Sequence, residues 1–142
     1  MNSFQLEEIY KQIPKSTCPS GCGKCCGILY PSMAEIRNIK NWLARKHLPY
    51  LELTMNTSES CPYLAEDKSC KIYPVRPFLC RILGTCSDIP CPVKENHPAR
   101  ILNHEQGAIL YNAIYMHGKE KARRNAHMKI LRPILREFIH PK

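Results

Sequence analysis

Cys18-Pro19-Ser20-Gly21-Cys22-Gly23-Lys24-Cys25-Cys26 places four thiols within nine residues, at the spacing C-x3-C-x2-C-C. The stretch cannot run as a helix through Pro19, Gly21, Gly23 and Gly27. Those residues instead let the backbone curl until several sulfurs face one point. Thiolates gathered in this way repel one another unless a cation neutralises them, so the loop predicts a metal or iron–sulfur ligand set. The opposing reading is a disulfide knot. It is disfavoured by the reducing compartment expected below, and the odd count of nine cysteines defeats a fully paired framework.

Working outward, the flanks read as helices. Residues 3–13 suggest a short one, with Phe4, Ile9 and Ile13 as a partial apolar stripe and Pro14 closing it. Downstream, Ser32-Met-Ala-Glu35 is a capping-box pattern. The helix it opens is expected to run to about His47, with Ile36, Ile39, Trp42 and Leu43 on its buried face. A connector with Pro49 and the polar run Asn56–Ser60 follows. Then come Cys61-Pro-Tyr-Leu and Cys70-Lys-Ile-Tyr, two short extended pieces parted by a turn at Glu66–Ser69. Pro74 and Pro77 each fix a backbone angle, so Cys80 is presented on a stiff turn or a short helix. Cys86 and Cys91 complete the set.

From Pro98 the texture changes. Residues 98–117 and 119–139 read as two amphipathic helices divided near Gly118. The first carries Ile101, Leu102, Ala108, Ile109, Ala113, Ile114 and Met116, and the second carries Ile130, Leu131, Ile134, Leu135 and Phe138 with a kink at Pro133. The expected architecture is mainly α and small. An irregular cysteine-rich metal-binding centre (18–91) is surrounded by short helices, with a C-terminal helical hairpin (98–139), in one domain spanning 1–142.

Composition narrows the function classes. The chain has 142 residues, 44% of them hydrophobic, enough for a modest core. No apolar run approaches the ~18 residues of a membrane span. The N-terminus lacks the basic-then-apolar order of a secretory signal. The expected compartment is therefore the cytoplasm, where structural disulfides are rare. The formal net charge is +9. From Lys94 to Lys142 there are ten Lys/Arg against four acids (Glu95, Glu105, Glu120 and Glu137), a local net of +6. Such a surplus can attract nucleic acid, but no interleaved aromatics or recognition motif accompany it, and a solvated helix face explains it better. A protein partner is expected, of a kind the residues do not specify.

The full cysteine pattern resembles the YkgJ-type cysteine-cluster family, described as a zinc- or iron-chelating domain. The resemblance runs from Cys18 to Arg81, about half the chain, and includes the core Cys70-Lys-Ile-Tyr-Pro-Val-Arg-Pro-Phe-Leu-Cys80-Arg81. Similar patterns occur in flagellin lysine methylases, where the resemblance implies an iron–sulfur cluster. Those proteins are much longer. The spacing Cys18-x3-Cys22-x2-Cys25 is also that of the radical SAM loop, but this chain offers neither the strands nor the roughly 200 residues of a barrel.

Eight cysteines (Cys18, Cys22, Cys25, Cys26, Cys61, Cys70, Cys80 and Cys86) would fill two four-thiolate sites and leave Cys91 spare. One site plus several free thiols is the competing count. Adjacent side chains diverge, so Cys25 and Cys26 either serve neighbouring sites or divide into one ligand and one packed or reactive thiol. Zinc sites favour paired C-x2-C knuckles, and only Cys22–Cys25 has that spacing. The loop and the family resemblance therefore favour an iron–sulfur cluster of the four-iron type over zinc. Arg76 and Arg81 flank Cys80 and are expected to donate hydrogen bonds toward its sulfur or nearby carbonyls. The six histidines show no ligand spacing. Three functions follow: a cluster-binding protein, a zinc-stabilised binding module, or a cluster-dependent modifying enzyme.

A centre this rich in proline and glycine has little burial of its own, whereas a structural four-thiolate zinc site provides ~10–16 kcal/mol near neutral pH. Stripping the metal under reducing conditions is expected to abolish hydrogen-exchange protection over Cys61–Cys86 while sparing some helical circular dichroism. Protection that survives stripping would make the metal a guest on an independent fold.

Overall fold

The computed structural model describes residues 1–17, 21–27, 30–53, 60–91, 93 and 97–126. Cys18, the Ile28–Leu29 end of the loop, and the apolar stripe and kink expected over 130–138 lie outside the described residues. Among the described residues the regular structure is helical. Helix α1 spans Ser3–Tyr10, α2 Met33–Arg45, α3 Phe78–Ile82 and α4 His104–Tyr115, with a 3-10 turn at Tyr73–Val75. A further helical stretch covers 118–126. None of these helices is long and apolar enough to cross a membrane.

The helices begin where side chains can satisfy orphan amides. Ser32 and Glu35 form the expected reciprocal box at the start of α2. The same device opens α1 through Asn2 and Gln5, and α4 through Asn103 and Gln106. Helix α4 therefore starts at His104 rather than near Pro98. Leu102 lies outside it, bridged to Cys86 in parallel fashion, and Ile101 is exposed. Helix α2 stops at Arg45. His47 takes a positive φ of 54°, and the amides of His47 and Leu48 bond back to the carbonyls of Ala44 and Leu43, a Schellman closure built on a histidine.

Two apolar clusters result. In the first, Leu6, Ile9, Tyr10 and Ile13 meet Phe78, Ile82, Cys86, Leu102, Leu110, Ile114 and Tyr115. Phe4, expected on the buried face, is 72% exposed, because Leu6, Ile9/Tyr10 and Ile13 follow the helical repeat and Phe4 falls outside it. Ile109 likewise points outward at 60% exposure, and Leu110, Ile114 and Tyr115 carry the buried face of α4. In the second cluster Ile39 and Leu43 of α2 pack with Leu53, Tyr63, Ile72 and Val75. Trp42 lies against its edge.

Glu35, wholly buried, stands between the clusters. Its Oε1 accepts the Tyr10 hydroxyl (2.8 Å) and the backbone amide of Phe78 at the start of α3. Its Oε2 accepts the Ser32 amide (2.7 Å) and the Tyr115 hydroxyl (3.1 Å), the latter shared with the Tyr30 carbonyl. One carboxylate thereby joins α1, α2, α3 and α4. Burial pushes its pKa up, against the pull of the donors.

The division near Gly118 is real, with φ +47° at that glycine. Beyond it Glu120 accepts the Met33 amide (3.2 Å), and Arg123 donates to the Pro31 carbonyl (2.8 Å) while paired with Glu120. Arg124 donates to the Tyr111 hydroxyl. Two charges of the basic tail thus hold the start of α2 and the flank of α4.

Gly107 sets how closely α4 approaches. A Cβ there would lie 2.7 Å from Cys86 Sγ, inside any tolerable contact. Gly107→Ala is therefore expected to destabilise by about 1–3 kcal/mol, although alanine ordinarily favours a helix over glycine. In a Cys86→Ala background the same change is expected to be neutral or stabilising. A double-mutant cycle by denaturant unfolding measures the difference.

Candidate metal centre

Three separate segments bring the thiols together. The first is the glycine-rich loop. Gly21 needs its positive φ of 86°, and a Cβ on Gly23 would press within 3.0 Å of the Leu64 side chain. The loop consequently lies flat on the second segment, a short hairpin in which Leu64 and Cys70 form an antiparallel bridge. Its turn is closed by Ala65 N to Ser69 O and Lys68 N to Ala65 O, with Asp67 accepting from Ser69. The third is α3. Pro77 precedes it in extended conformation, so Phe78–Ile82 makes one helical turn and Cys80 sits at its middle.

The electrostatics show which sulfurs share a neighbourhood. The Cys80 thiol is pushed well above its usual range, first by burial and then by charge on Cys61, Cys70 and Cys25 and on Glu35. Cys61 is raised by burial and by Cys70, against the Tyr63 and Leu64 amides that point at its sulfur. Cys70 is raised by burial, while the Ile72 amide and the Arg76 charge act the other way. Cys25 and Cys26 form a coupled pair. A hydrogen bond from Cys26 draws Cys25 toward the thiolate, and Cys26 itself is held protonated, with the Cys80 and Cys61 charges adding to the effect.

The two arginines support the carbonyl-rich turn that carries Cys80. Arg81 Nε donates to the Arg76 carbonyl (2.8 Å) and its Nη2 to the Pro74 carbonyl (2.9 Å), with the guanidinium on the Tyr10 ring at 4.0 Å. Arg76 donates to the Tyr73 carbonyl (3.0 Å) and lies on the Tyr73 ring at 3.7 Å. Its charge acts on Cys70.

Not every expected ligand joins this group. Cys86 is buried in the first apolar cluster, against Gly107, with its sulfur 3.9 Å from the Asn103 carbonyl. Its backbone is bridged to Leu102 and Ile89, and its sulfur lies against Gly107 of α4, apart from the group around Cys80. Cys22 is half-buried in the loop, and Cys18 lies outside the described residues. Cys91 is a half-buried free thiol. His47, His97, His104 and His117 are exposed, and His104 pairs with Asp88.

Among the described residues no three His, Cys, Asp or Glu side chains close to the spacing that would grip an ion. The chemistry of the donor set nonetheless fits a thiophilic metal. Cys25, Cys61, Cys70 and Cys80 are soft donors, the first three receive backbone amide hydrogen bonds, and a guanidinium charge acts on Cys70. Repulsion among them is what a bound cation would relieve.

Three contributors escape a sequence reading. The amides aimed at Cys61 and Cys70 belong to Tyr63, Leu64 and Ile72, and only the turn-forming Cys-Pro-Tyr-Leu and Cys-Lys-Ile texture hints at them. Glu35 is visible as a helix cap but not as the charge behind Cys80. Tyr10, the platform for Arg81, carries no motif.

A family model described as "Putative zinc- or iron-chelating domain", the CxxCxxCC model, matches residues 17–107. No curated protein and no solved structure matches the chain.

Arg76→Ala removes a positive charge that acts on Cys70 without changing a cysteine. The variant is expected to keep its metal but to shift the redox potential or oxygen sensitivity of the loaded protein, read by anaerobic titration and by optical decay in air. Unchanged behaviour would reduce Arg76 to a partner for Tyr73.

Proposed function

Because the chain belongs to the CxxCxxCC family of zinc- or iron-chelating domains, we propose that Cys25, Cys61, Cys70 and Cys80, with Cys18 and Cys22 of the same loop available to complete the set, hold an iron–sulfur cluster of the four-iron type. The observation that carries this reading is that Cys61, Cys70 and Cys80 border one apolar cluster, with Cys80 raised by charge on Cys61, Cys70 and Cys25, thiols drawn from three separate segments. A cluster bound there supplies one-electron chemistry.

The chain's own residues set the conditions for that chemistry. Amides of Tyr63, Leu64 and Ile72 stabilise thiolate sulfur, and Arg76 offsets negative charge at Cys70. Arg81 braces the turn at 74–76. Cys26 donates to Cys25 and so holds its neighbour in the ligating form. The C-x3-C-x2-C loop supports iron–sulfur over zinc. Electron delivery to a protein partner in the cytoplasm, or cluster handling, is the role such a centre would serve. Among the described residues of the basic tail, Arg123 and Arg124 are engaged within the chain.

A zinc-stabilised module is the second reading, favoured by the amide-supported turns at Cys61 and Cys70, which suit a structural ion equally well. Metal and acid-labile sulfide analysis with a visible spectrum, on protein purified without oxygen, separates the two. Iron with sulfide is the expected result, and stoichiometric zinc without iron or sulfide overturns the cluster. Cys25→Ser and Cys80→Ser are expected to lose most bound metal, and Cys86→Ala to retain it. Metal loss on Cys86→Ala at unchanged stability would return that residue to the ligand set.

A further inference from the structure

We infer that Glu35 is a positioning residue of the metal centre: through Phe78 and Tyr10 it holds the one-turn helix that presents Cys80 and the arginine that braces it. The inference rests on Cys80 being a metal ligand, as proposed above.

Helix α3 is five residues long and has no side-chain cap of its own, since Pro77 occupies the position before it. A helix of this length is not self-sustaining in water. Its first amide, at Phe78, is nevertheless bonded, and the acceptor is Glu35 Oε1, 43 residues earlier in the chain. The carboxylate also closes the capping box of α2, so it serves two helix starts at once. Cys80 follows Phe78 by two residues, within the same turn. Any movement of the Phe78 amide is therefore carried directly to the sulfur.

The second arm runs through Tyr10. Its hydroxyl donates to the same Oε1, and its ring face receives the Arg81 guanidinium at 4.0 Å. Arg81 is the residue after Cys80, and it is fastened to the Arg76 and Pro74 carbonyls. Glu35 thus fixes α3 from its start, and Tyr10 fixes it from the residue beyond the sulfur. The remaining oxygen, held by Ser32 N and Tyr115, keeps the carboxylate from rotating. The charge felt by Cys80 from Glu35 places the two groups close together.

A merely structural glutamate would affect stability and nothing else. A positioning one affects the ligand field of whatever metal Cys80 holds. Cobalt(II) is a suitable probe, because thiolate-bound cobalt shows charge-transfer bands and visible bands that report ligand number and geometry, whichever metal is native. The full chain, stripped and reduced without oxygen, would be titrated with cobalt(II). In Glu35→Gln the isosteric amide loses the charge and turns a donor toward an existing donor. That variant is expected to bind cobalt about 10- to 100-fold more weakly than the parent, with displaced visible bands, as losses of outer hydrogen bonds at metal sites do. Tyr10→Phe keeps the ring under Arg81 and loses only the hydroxyl, so a smaller change in the same direction is expected. Leu110→Ala, in the first apolar cluster, controls for general destabilisation and is expected to leave the bands in place.

Parental affinity and bands in a folded Glu35→Gln overturn the inference. If Glu35→Gln does not fold, Tyr10→Phe decides: parental behaviour there, or an equal displacement in Leu110→Ala, overturns it as well. Absence of thiolate-to-cobalt bands in the parent itself would strike the metal centre, and the inference with it. Normal bands in the parent with no response to Glu35→Gln strike the inference alone.

Discussion

The Glu35 carboxylate is where the two halves of this molecule are joined. Burying an ionised carboxylate is costly, and the cost is tolerated only when its oxygens are fully bonded. Here two hydroxyls and two backbone amides meet that demand, and each comes from a different part of the chain. The amides at Ser32 and Phe78 begin helices, so the negative charge also lies where two helix dipoles favour it. The tyrosines reach in from the first apolar cluster, and the helix that carries Glu35 supplies Ile39 and Leu43 to the second. The clusters could otherwise slide past each other, since apolar contact alone has little directional preference. A set of bonds to one buried charge fixes their relation.

The thiols occupy the rim of the second cluster rather than its interior. Cys61, Cys70 and Cys80 each pack one side against apolar side chains. A low-dielectric wall strengthens every charge interaction at the site, which makes empty thiolates unfavourable and makes amide and guanidinium donors effective. The same wall accounts for the contrast between Cys80 and Cys86. Both are cysteines near α3, yet one faces other sulfurs and the other fills a gap beside a glycine. Position relative to the wall, and not residue type, divides them.

Much of this could be read from the sequence where the signal is local. The Ser32–Glu35 box, the stiff presentation of Cys80 after Pro74 and Pro77, the hairpin at 61–70 and the break near Gly118 all depend on a few neighbouring residues. Asn2–Gln5 and Asn103–Gln106 carry the same capping signal as Ser32–Glu35, and the second of them marks the start of α4 at His104. What sequence spacing could not supply is long-range. Phe4 and Ile109 are apolar yet exposed, while Gly107 and Glu35 are buried, because the available partners, and not hydropathy, decide which face turns inward. Cys86 illustrates the limit most clearly. In a chain with a cysteine-rich centre it reads as one more ligand, and its place against Gly107 of α4 is a long-range contact that no spacing signals.

The family match begins at residue 17 and ends at 107, and this boundary cuts through the Glu35 bonds. Tyr10 lies before it and Tyr115 after it, so two of the four donors come from outside the shared segment. Glu120 and Arg123, which close over Pro31–Met33, lie outside as well. The matched segment is thus bonded at its buried carboxylate to a helix on either side of it. An excised 17–107 fragment would keep the described thiols yet carry a half-satisfied buried charge beneath them.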